Sequence, residues 1–336
     1  MGEQSVPNRR IVDAWIVNRG SRPERCNRYN RGVTTPYPNS PNSPNSPNAS
    51  SSPILAIDCV VNPITPEIMA MRPAWSRKFW EEKIGRDDTV GAGVSHERML
   101  AMMDAAGIER AFLIATKTGR LGMPGSWHLP YRVVAEAVRQ HPGRFYGLAG
   151  LDPTEGMAGV RALERAVRDD GFIGAHFYPH WFELAPDHAK WYPFYAKCVE
   201  LDIPVQLQVG QSLIYAADRP LRSVGQPITL DAVACDFPEL KLIGIHVGIP
   251  WHDEMIAMAW KHANVHIGCD AHSPKYWPAS FIHYINTFGR DKVIFGTDYP
   301  VLDFARTRAE IDALGLREES KRKLLRDNAL RLYKLT

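Results

Sequence analysis

Residues 240–248, LKLIGIHVG, contain the unit from which the fold of this chain can be predicted. A short apolar run ends at a polar side chain, His246, and an amphipathic segment follows over residues 253–261. Short runs rich in β-branched residues are typical of strands that a parallel sheet buries on both faces. The unit therefore predicts a strand over residues 242–247, followed by a helix.

Strands and helices of this kind alternate from residue 54 to the C-terminus. The predicted strands are residues 54–61, 111–116, 145–151, 174–178, 204–209, 242–247, 265–268 and 293–296. The predicted helices are residues 96–107, capped by Ser95 and ended by Gly107, 131–140, 156–168, 187–201, 229–236, 253–261, 278–287 and 305–314.

Eight strands that alternate with helices predict an α/β fold, the (β/α)8 TIM barrel. A doubly wound open sheet is the alternative, because alternation by itself does not show whether the sheet closes. Neither GxGxxG after the first strand nor GxxxxGK[ST] occurs in the sequence. The phosphate-binding loops that would favour the open sheet are therefore missing, and we predict the barrel.

The first 53 residues differ from the rest in composition. They include the low-complexity run PNSPNSPNSPNASSSP, and they carry seven arginines against three acidic residues. Such a segment buries too little apolar surface to fold, so we expect a disordered tail over residues 1–53 and the barrel over 54–336. The net charge of +3 arises in this tail. No known nucleic-acid-binding fold accompanies these arginines, so no nucleic-acid partner is expected.

The composition of all 336 residues is that of a globular protein, with 45% hydrophobic and 23% charged residues. No apolar run approaches the roughly 20 residues of a membrane helix, and the N-terminus lacks a secretory signal. The five cysteines are widely spaced and form no CxxC pair. These features predict a cytoplasmic protein with reduced thiols and no membrane partner.

Polar side chains occur at the predicted strand ends, where TIM-barrel enzymes carry their chemistry. They are Asp58, Asn62, His176, Tyr178, His180, Gln208, His246, Asp270, His272 and Asp298. Because side chains alternate along a strand, His176, Tyr178 and His180 would share a face if the strand continued past Pro179. Histidines and carboxylates at one edge can act as acids, bases or metal ligands.

Aromatic residues fall in the segments expected at the mouth of the barrel: Trp127, Trp181, Trp251, Tyr276 and Trp277. Aromatic walls suit a ring-containing substrate, although the same residues could simply pack loops onto the barrel. No GxSxG elbow or Ser-His-Asp order is present, so nucleophilic catalysis is not supported.

The chain from residue 54 onward resembles the amidohydrolase-related family that includes aminocarboxymuconate-semialdehyde decarboxylases and resorcylate decarboxylases. The matching segments are AIDCVVNP (56–63), DIPVQLQVG (202–210), LKLIGIHVG (240–248), KVIFGTDYP (292–300) and RDNALRLY (326–333). The resemblance implies a (β/α)8 barrel, typically with one divalent metal, often zinc. It also implies non-oxidative decarboxylation, hydrolysis or hydration of small, often aromatic acids.

The sequence departs from the family at the metal ligands. The first strand of the family usually reads D-x-H-x-H, whereas Val60 and Asn62 follow Asp58 here. Gln208 occupies the usual histidine position at the end of strand five, and only His246 and Asp298 keep the family pattern. Since a catalytic zinc site ordinarily has three protein ligands, the resemblance implies a degenerate metal site.

Two kinds of site remain open. A displaced metal site would combine His246 and Asp298 with one of the histidines His176, His180 or His272. A metal-free site would use Asp298 or His246 as the base and hydrogen-bond donors from Asn62, Gln208 and Tyr178. The expected cofactor is therefore none or one divalent metal ion, with zinc as the first choice.

The expected function is that of a hydrolase or non-oxidative decarboxylase of a small carboxylated, cyclic or aromatic compound. The expected catalytic residues are Asp298, His246, His180 and His176, and the expected substrate-binding residues are Asn62, Gln208, Tyr178, Trp181 and Trp251. The alternative is a supporting subunit of a hetero-oligomer with a metal-competent paralogue. As an enzyme, the protein is expected to bind a small molecule and to form a homo-oligomer or such a hetero-oligomer.

Overall fold

The structure is a computed structural model that describes residues 53–84, 91–213 and 215–336. Residues Ile54–Thr336 form one compact unit. The predicted tail, except for Pro53, lies outside the described residues. Within the described ranges, no helix has the length and apolar character needed to cross a bilayer.

Eight parallel strands form the central sheet, in which each strand pairs with the next one along the chain. They are β1 Ala56–Val61, β2 Ile108–Ala115, β3 Phe145–Gly150, β4 Gly174–Phe177, β5 Val205–Gln208, β6 Leu242–Ile245, β7 Val265–Gly268 and β8 Val293–Ile294. The last strand returns to the first, because the Cys59 and Asn62 amides donate to the carbonyls of Phe295 and Tyr299 at 3.0 and 2.8 Å. The sheet is therefore a barrel, which confirms the predicted TIM fold.

Helices connect the strands and continue after the last of them. They are α1 Pro66–Met71, α2 Ala74–Phe79, α3 His96–Ala105, α4 Tyr131–Gln140, α5 Gly156–Arg168, α6 Pro179–Phe182, α7 Tyr192–Glu200, α8 Leu230–Asp236, α9 His252–Lys261, α10 Ala279–Asn286, α11 Phe304–Asp312, α12 Glu318–Arg322 and α13 Asn328–Tyr333. The Ser95 side chain accepts a hydrogen bond from the Arg98 amide, as predicted for the cap of α3.

Alternate side chains of the strands fill the interior of the barrel, and α13 packs against them. The apolar members of this core include Ile57, Cys59, Phe112, Ile114, Leu148, Ile243, Ile245 and Ile294, with Leu332 and Tyr333 of α13. Each additional buried side chain of this size adds about 1.5–3 kcal/mol of hydrophobic stabilisation. The packed interior leaves the strand ends as the place where a ligand can enter.

One short antiparallel ribbon extends beyond β2. Lys117–Thr118 pairs with Trp127–His128, so that Thr118 lies opposite Trp127. The ribbon places the Trp127 indole, which is buried, beside the end of the barrel.

Candidate active site

Side chains from four strand ends meet on one side of the barrel opening. His246 directly follows β6, Asp270 comes two residues after β7, Asp298 comes four residues after β8, and Gln208 ends β5. His246 and Asp298 have positive φ angles of 69° and 54°. Residues other than glycine rarely adopt this left-handed region, and such strained positions concentrate at functional sites. The chain thus turns sharply at the two residues that keep the family pattern.

The imidazole nitrogen Nε2 of His246 lies at the centre of this cluster. It is 3.3 Å from Asp270 Oδ2 and 3.7 Å from Asp298 Oδ2. The Gln208 amide nitrogen Nε2 lies 3.4 Å from the same atom. Three side chains therefore point at one ring nitrogen.

Each of the two carboxylates is held through its other oxygen. Asp270 Oδ1 accepts a hydrogen bond from the His246 amide at 3.0 Å, and Asp298 Oδ1 accepts one from Asn62 Nδ2 at 2.8 Å. Asp270 Oδ2 is buried and has no hydrogen-bond partner. Because buried acceptors are almost always satisfied, this atom indicates a ligand that the protein itself does not provide.

Burial dominates the electrostatics of the cluster. It raises the pKa of Asp270 to about 7, and burial together with repulsion from Asp270 raises the pKa of Asp298 well above its usual range. Burial lowers the pKa of His246 well below 6.5, and the neighbouring His272 adds to this effect. A positive charge bound between these groups would relieve the repulsion between the two carboxylates.

The three side chains fit a divalent cation. Ligand atoms of His246, Asp270 and Asp298 all lie within 4.8 Å of one another. One imidazole nitrogen and two carboxylate oxygens provide the three protein ligands of a catalytic zinc site, and bond lengths of about 2.0–2.2 Å would need only small shifts of the side chains. Asp270 thus offers a third ligand atom, where one of the histidines His176, His180 or His272 was expected.

Asp58 does not join this cluster. Its carboxylate accepts hydrogen bonds from Thr297, at 2.6 Å from the hydroxyl and 3.0 Å from the amide. It is completely buried, and burial raises its pKa to about 7. Asp58 therefore ties β1 to the segment that carries Asp298.

A cavity of about 150 Å³ opens above the cluster. His246, Asp298, Asn62 and Gln208 form part of its wall. The remaining wall includes seven aromatic side chains, which are Trp75, Phe79, Trp80, Trp127, Tyr178, Trp181 and Tyr215. A dry cavity of about this volume accommodates one benzene ring. The site can therefore enclose a small aromatic molecule beside a histidine and a carboxylate.

The aromatic side chains of the wall support one another. The Trp181 ring lies 4.6 Å from Tyr215 and 4.9 Å from Trp75, measured between ring centroids. Phe79 lies 4.4 Å from Tyr215 on its other side. Tilted contacts at these distances are favourable between aromatic rings, so the wall forms a continuous packed layer.

The structure places most of the predicted site residues in this wall, including His272. Trp251, at the start of α9, is not part of the described wall of the cavity. The same holds for Tyr276 and Trp277. Two of the predicted histidines, His176 and His180, are buried away from the wall.

The strand end explains the position of these two histidines. β4 ends at Phe177, and Pro179 begins α6, so the alternation that would have aligned His180 with His176 does not extend that far. His176 Nδ1 lies 3.0 Å from Gln206 Oε1 inside the barrel, and His180 Nδ1 accepts from the Val224 amide. The condition for a shared face of His176 and His180, a strand that continues past Pro179, is therefore not met.

Sequence reasoning missed two features of the site. Asp270 was noted at a strand end, but its pairing with His246 depends on the register of β6 and β7. Arg72, Trp75 and Phe79 lie on or beside α1 and α2, two short helices that were not predicted. Their signal is weak because each helix has only six residues and follows a proline-rich segment.

The barrel with a histidine–carboxylate cluster at its strand ends defines a class of TIM-barrel proteins with a candidate metal centre. The family model described as "Amidohydrolase" matches residues 57–335, and the chain belongs to this family. A curated relative, gamma-resorcylate decarboxylase of Rhizobium sp. (strain MTP-10005), is 25% identical over 295 residues, which cover 70% of this chain and 86% of the relative.

Solved structures share the fold. An uncharacterised TIM-barrel protein of Bordetella bronchiseptica is 24% identical and has a TM-score of 0.68, covering 83% of this chain and 98% of that one. The 5-carboxyvanillate decarboxylase of Novosphingobium aromaticivorans, solved with manganese and 3-methoxy-4-hydroxy-5-nitrobenzoic acid, is 20% identical with a TM-score of 0.64. The match covers 84% of this chain and 97% of that structure.

Proposed function

We propose that this protein is a non-oxidative decarboxylase of a small aromatic carboxylate. One observation carries the proposal: the His246–Asp270–Asp298 cluster borders a cavity of about 150 Å³ whose wall contains seven aromatic side chains. Among the described residues that line the cavity, Asp298 is the only acidic one. The names of the gamma-resorcylate decarboxylase and the 5-carboxyvanillate decarboxylase support the same reaction class.

A divalent metal would be held by His246, Asp270 and Asp298, where it would act as a Lewis acid on substrate oxygens. The manganese of the 5-carboxyvanillate decarboxylase supports a divalent ion of this kind. Asn62 and the His246 amide hold the two carboxylates in place, because each donates to one carboxylate oxygen.

The substrate ring would lie against the aromatic wall, with its carboxylate towards His246. The bond between the ring carbon and the carboxylate breaks, its electron pair stays on the ring carbon, and CO₂ leaves. A water molecule beside Asp298 would deliver the proton that forms the new C–H bond, and the hydroxide that remains would take up a proton from the solvent. Gln208 and Tyr178 line the same cavity and can donate to substrate oxygens during this change.

The test is an assay of CO₂ release by the full-length protein loaded with Mn²⁺ or Zn²⁺, with 2,6-dihydroxybenzoate and 5-carboxyvanillate as substrates. Asp298→Asn is expected to lower kcat/KM by about 10²–10⁴-fold, because it removes a charged ligand of the metal and the carboxylate beside the proton-donating water. Asp253→Asn, an exposed change on α9, is the matched control and should retain activity. An Asp298→Asn variant with unchanged kcat/KM would rule out this assignment.

A further inference from the structure

One charged side chain of the cavity wall takes no part in the reaction described above. Arg72 follows α1 directly, is only 6% exposed and lines the cavity together with His246 and Asp298. Its positive charge lies beside the aromatic rings of Trp80 and Trp127. A buried cation in such a place requires a compensating partner.

The guanidinium group lies between two indole rings. Its central carbon is 4.2 Å from the centroid of Trp127 and 5.5 Å from that of Trp80. Stacking on aromatic faces is favourable for a guanidinium, and it restricts the group to one plane. The two tryptophans therefore orient the edge of Arg72 without neutralising its charge.

The hydrogen bonds of Arg72 are incomplete. Nη1 donates to Ser76 Oγ at 3.1 Å, whereas Nε is buried and has no partner. Among the described residues, no carboxylate lies within 4 Å of the guanidinium, although Arg110 and Arg326 both pair with Glu109. Burial lowers the pKa of Arg72 to about 10, so the group is still charged at neutral pH. Its planar set of donors matches a carboxylate.

We infer that Arg72 binds a carboxylate of the substrate that is retained in the product, so that the substrate is an aromatic dicarboxylate. This inference rests on the proposed decarboxylation. In that reaction the negative charge leaves the reacting carboxylate and moves to the ring. An arginine paired with that carboxylate would stabilise the ground state more than the transition state and would slow the reaction.

The position of Arg72 is consistent with a substrate that carries a second carboxylate. Arg72 and Asp298 line one cavity, yet no ion pair joins them in the described structure. A ring with two acidic substituents can therefore direct one of them to His246 and Asp298 and the other to Arg72. A carboxylate held at a distance from the reacting carbon contributes binding and orientation.

The experiment compares binding of isophthalate, benzoate and resorcinol to the full-length protein by tryptophan fluorescence. The wild type should bind isophthalate about tenfold or more tightly than benzoate, the range of a hydrogen-bonded charge pair. Arg72→Met should abolish this preference and leave resorcinol affinity within about twofold, since resorcinol has no carboxylate for a charge pair. Arg77→Met removes an exposed arginine of α2 and should change none of the three affinities.

Arg72→Lys provides a second variant in case Arg72→Met does not fold. It keeps the charge but loses the planar set of donors, so the preference for isophthalate should fall several-fold while benzoate binding stays the same. An unchanged ratio of isophthalate to benzoate affinity in a folded Arg72 variant would overturn the inference.

Measurements of binding and of turnover distinguish a failure of this inference from a failure of the proposed reaction. If the protein decarboxylates none of the acids but its preference for isophthalate requires Arg72, the reaction is wrong and the role of Arg72 is supported. If Arg72→Met decarboxylates 5-carboxyvanillate, which has two carboxylates, as well as the wild type does, the role of Arg72 is wrong and the reaction is retained.

Discussion

The Asn62 side chain donates a hydrogen bond of 2.8 Å from Nδ2 to Asp298 Oδ1, which joins the end of the first barrel strand to the turn after the last one. The same nitrogen lies 3.2 Å from the Tyr299 carbonyl. Asn62 occupies a position where the resemblance to the family implied a histidine, and its side chain holds the carboxylate of Asp298.

The first prediction concerns this bond. Asn62→Ala should lower kcat/KM by about 10–100-fold, because a small misplacement of a catalytic group has effects of this size. It should also lower the free energy of unfolding by about 1–2 kcal/mol, since a partly buried acceptor loses its donor. Steady-state kinetics and urea unfolding measure the two effects. Asn286→Ala removes an exposed bond to the Arg317 amide and should leave kcat/KM unchanged.

The second prediction concerns Asp270, the third candidate ligand of the proposed metal site. Asp270→Asn should weaken Mn²⁺ binding at least about tenfold, because it removes a charge while Oδ1 can still accept from the His246 amide. Isothermal titration calorimetry with Mn²⁺ alone measures this affinity. Asp253→Asn, on exposed α9, serves as the control. Equal Mn²⁺ affinity in Asp270→Asn and the wild type would show that Asp270 is not a ligand.

The third prediction concerns acid stability. His266 is buried in β7, and burial, together with the positive charges of Lys292, Arg331 and Lys241, lowers its pKa to about 3. The unfolded chain therefore binds more protons than the folded one between pH 6.5 and 3, so this residue lowers stability as the pH falls through that range. Between pH 7 and 5, it should reduce the free energy of unfolding by about 2 kcal/mol.

His266→Gln tests this prediction, since glutamine keeps polar atoms but does not titrate. The free energy of unfolding should decrease less from pH 7 to pH 5 in the variant than in the wild type. His283→Gln, on exposed α10, is the matched control and should retain the wild-type dependence. Identical pH dependence for His266→Gln and the wild type would contradict the expected effect.

The fourth prediction concerns the boundary of the barrel. Removal of residues 1–52 should leave kcat/KM within about twofold, because the compact unit begins at Ile54 and contains every residue assigned to the site. The cut preserves the Ile54 carbonyl, which accepts from Arg308 Nη2 at 3.1 Å. Kinetics of the shortened protein measure the outcome. A large loss of activity with an unchanged circular dichroism spectrum would assign a role to the removed segment.

The barrel was predictable because each unit is encoded locally. Buried strands need continuous apolar runs, and helices need periodic ones, so residues such as Val205–Gln208 and Tyr131–Gln140 were placed within one or two positions. His246 and Asp298 were also predictable, since each follows an apolar strand and the strand ends of a barrel meet at one face.

The sequence alone determined the alternation of strands and helices and the two strand-end residues, because these depend on patterns within a few positions. Only the tertiary structure decided that Asp270 lies beside His246, that His180 is not part of the cavity wall and that Arg72 lines the cavity. These outcomes depend on the register between strands, on the left-handed turns at His246 and Asp298, and on two short helices. Such features bring together residues that are far apart in the chain, and no local pattern specifies them.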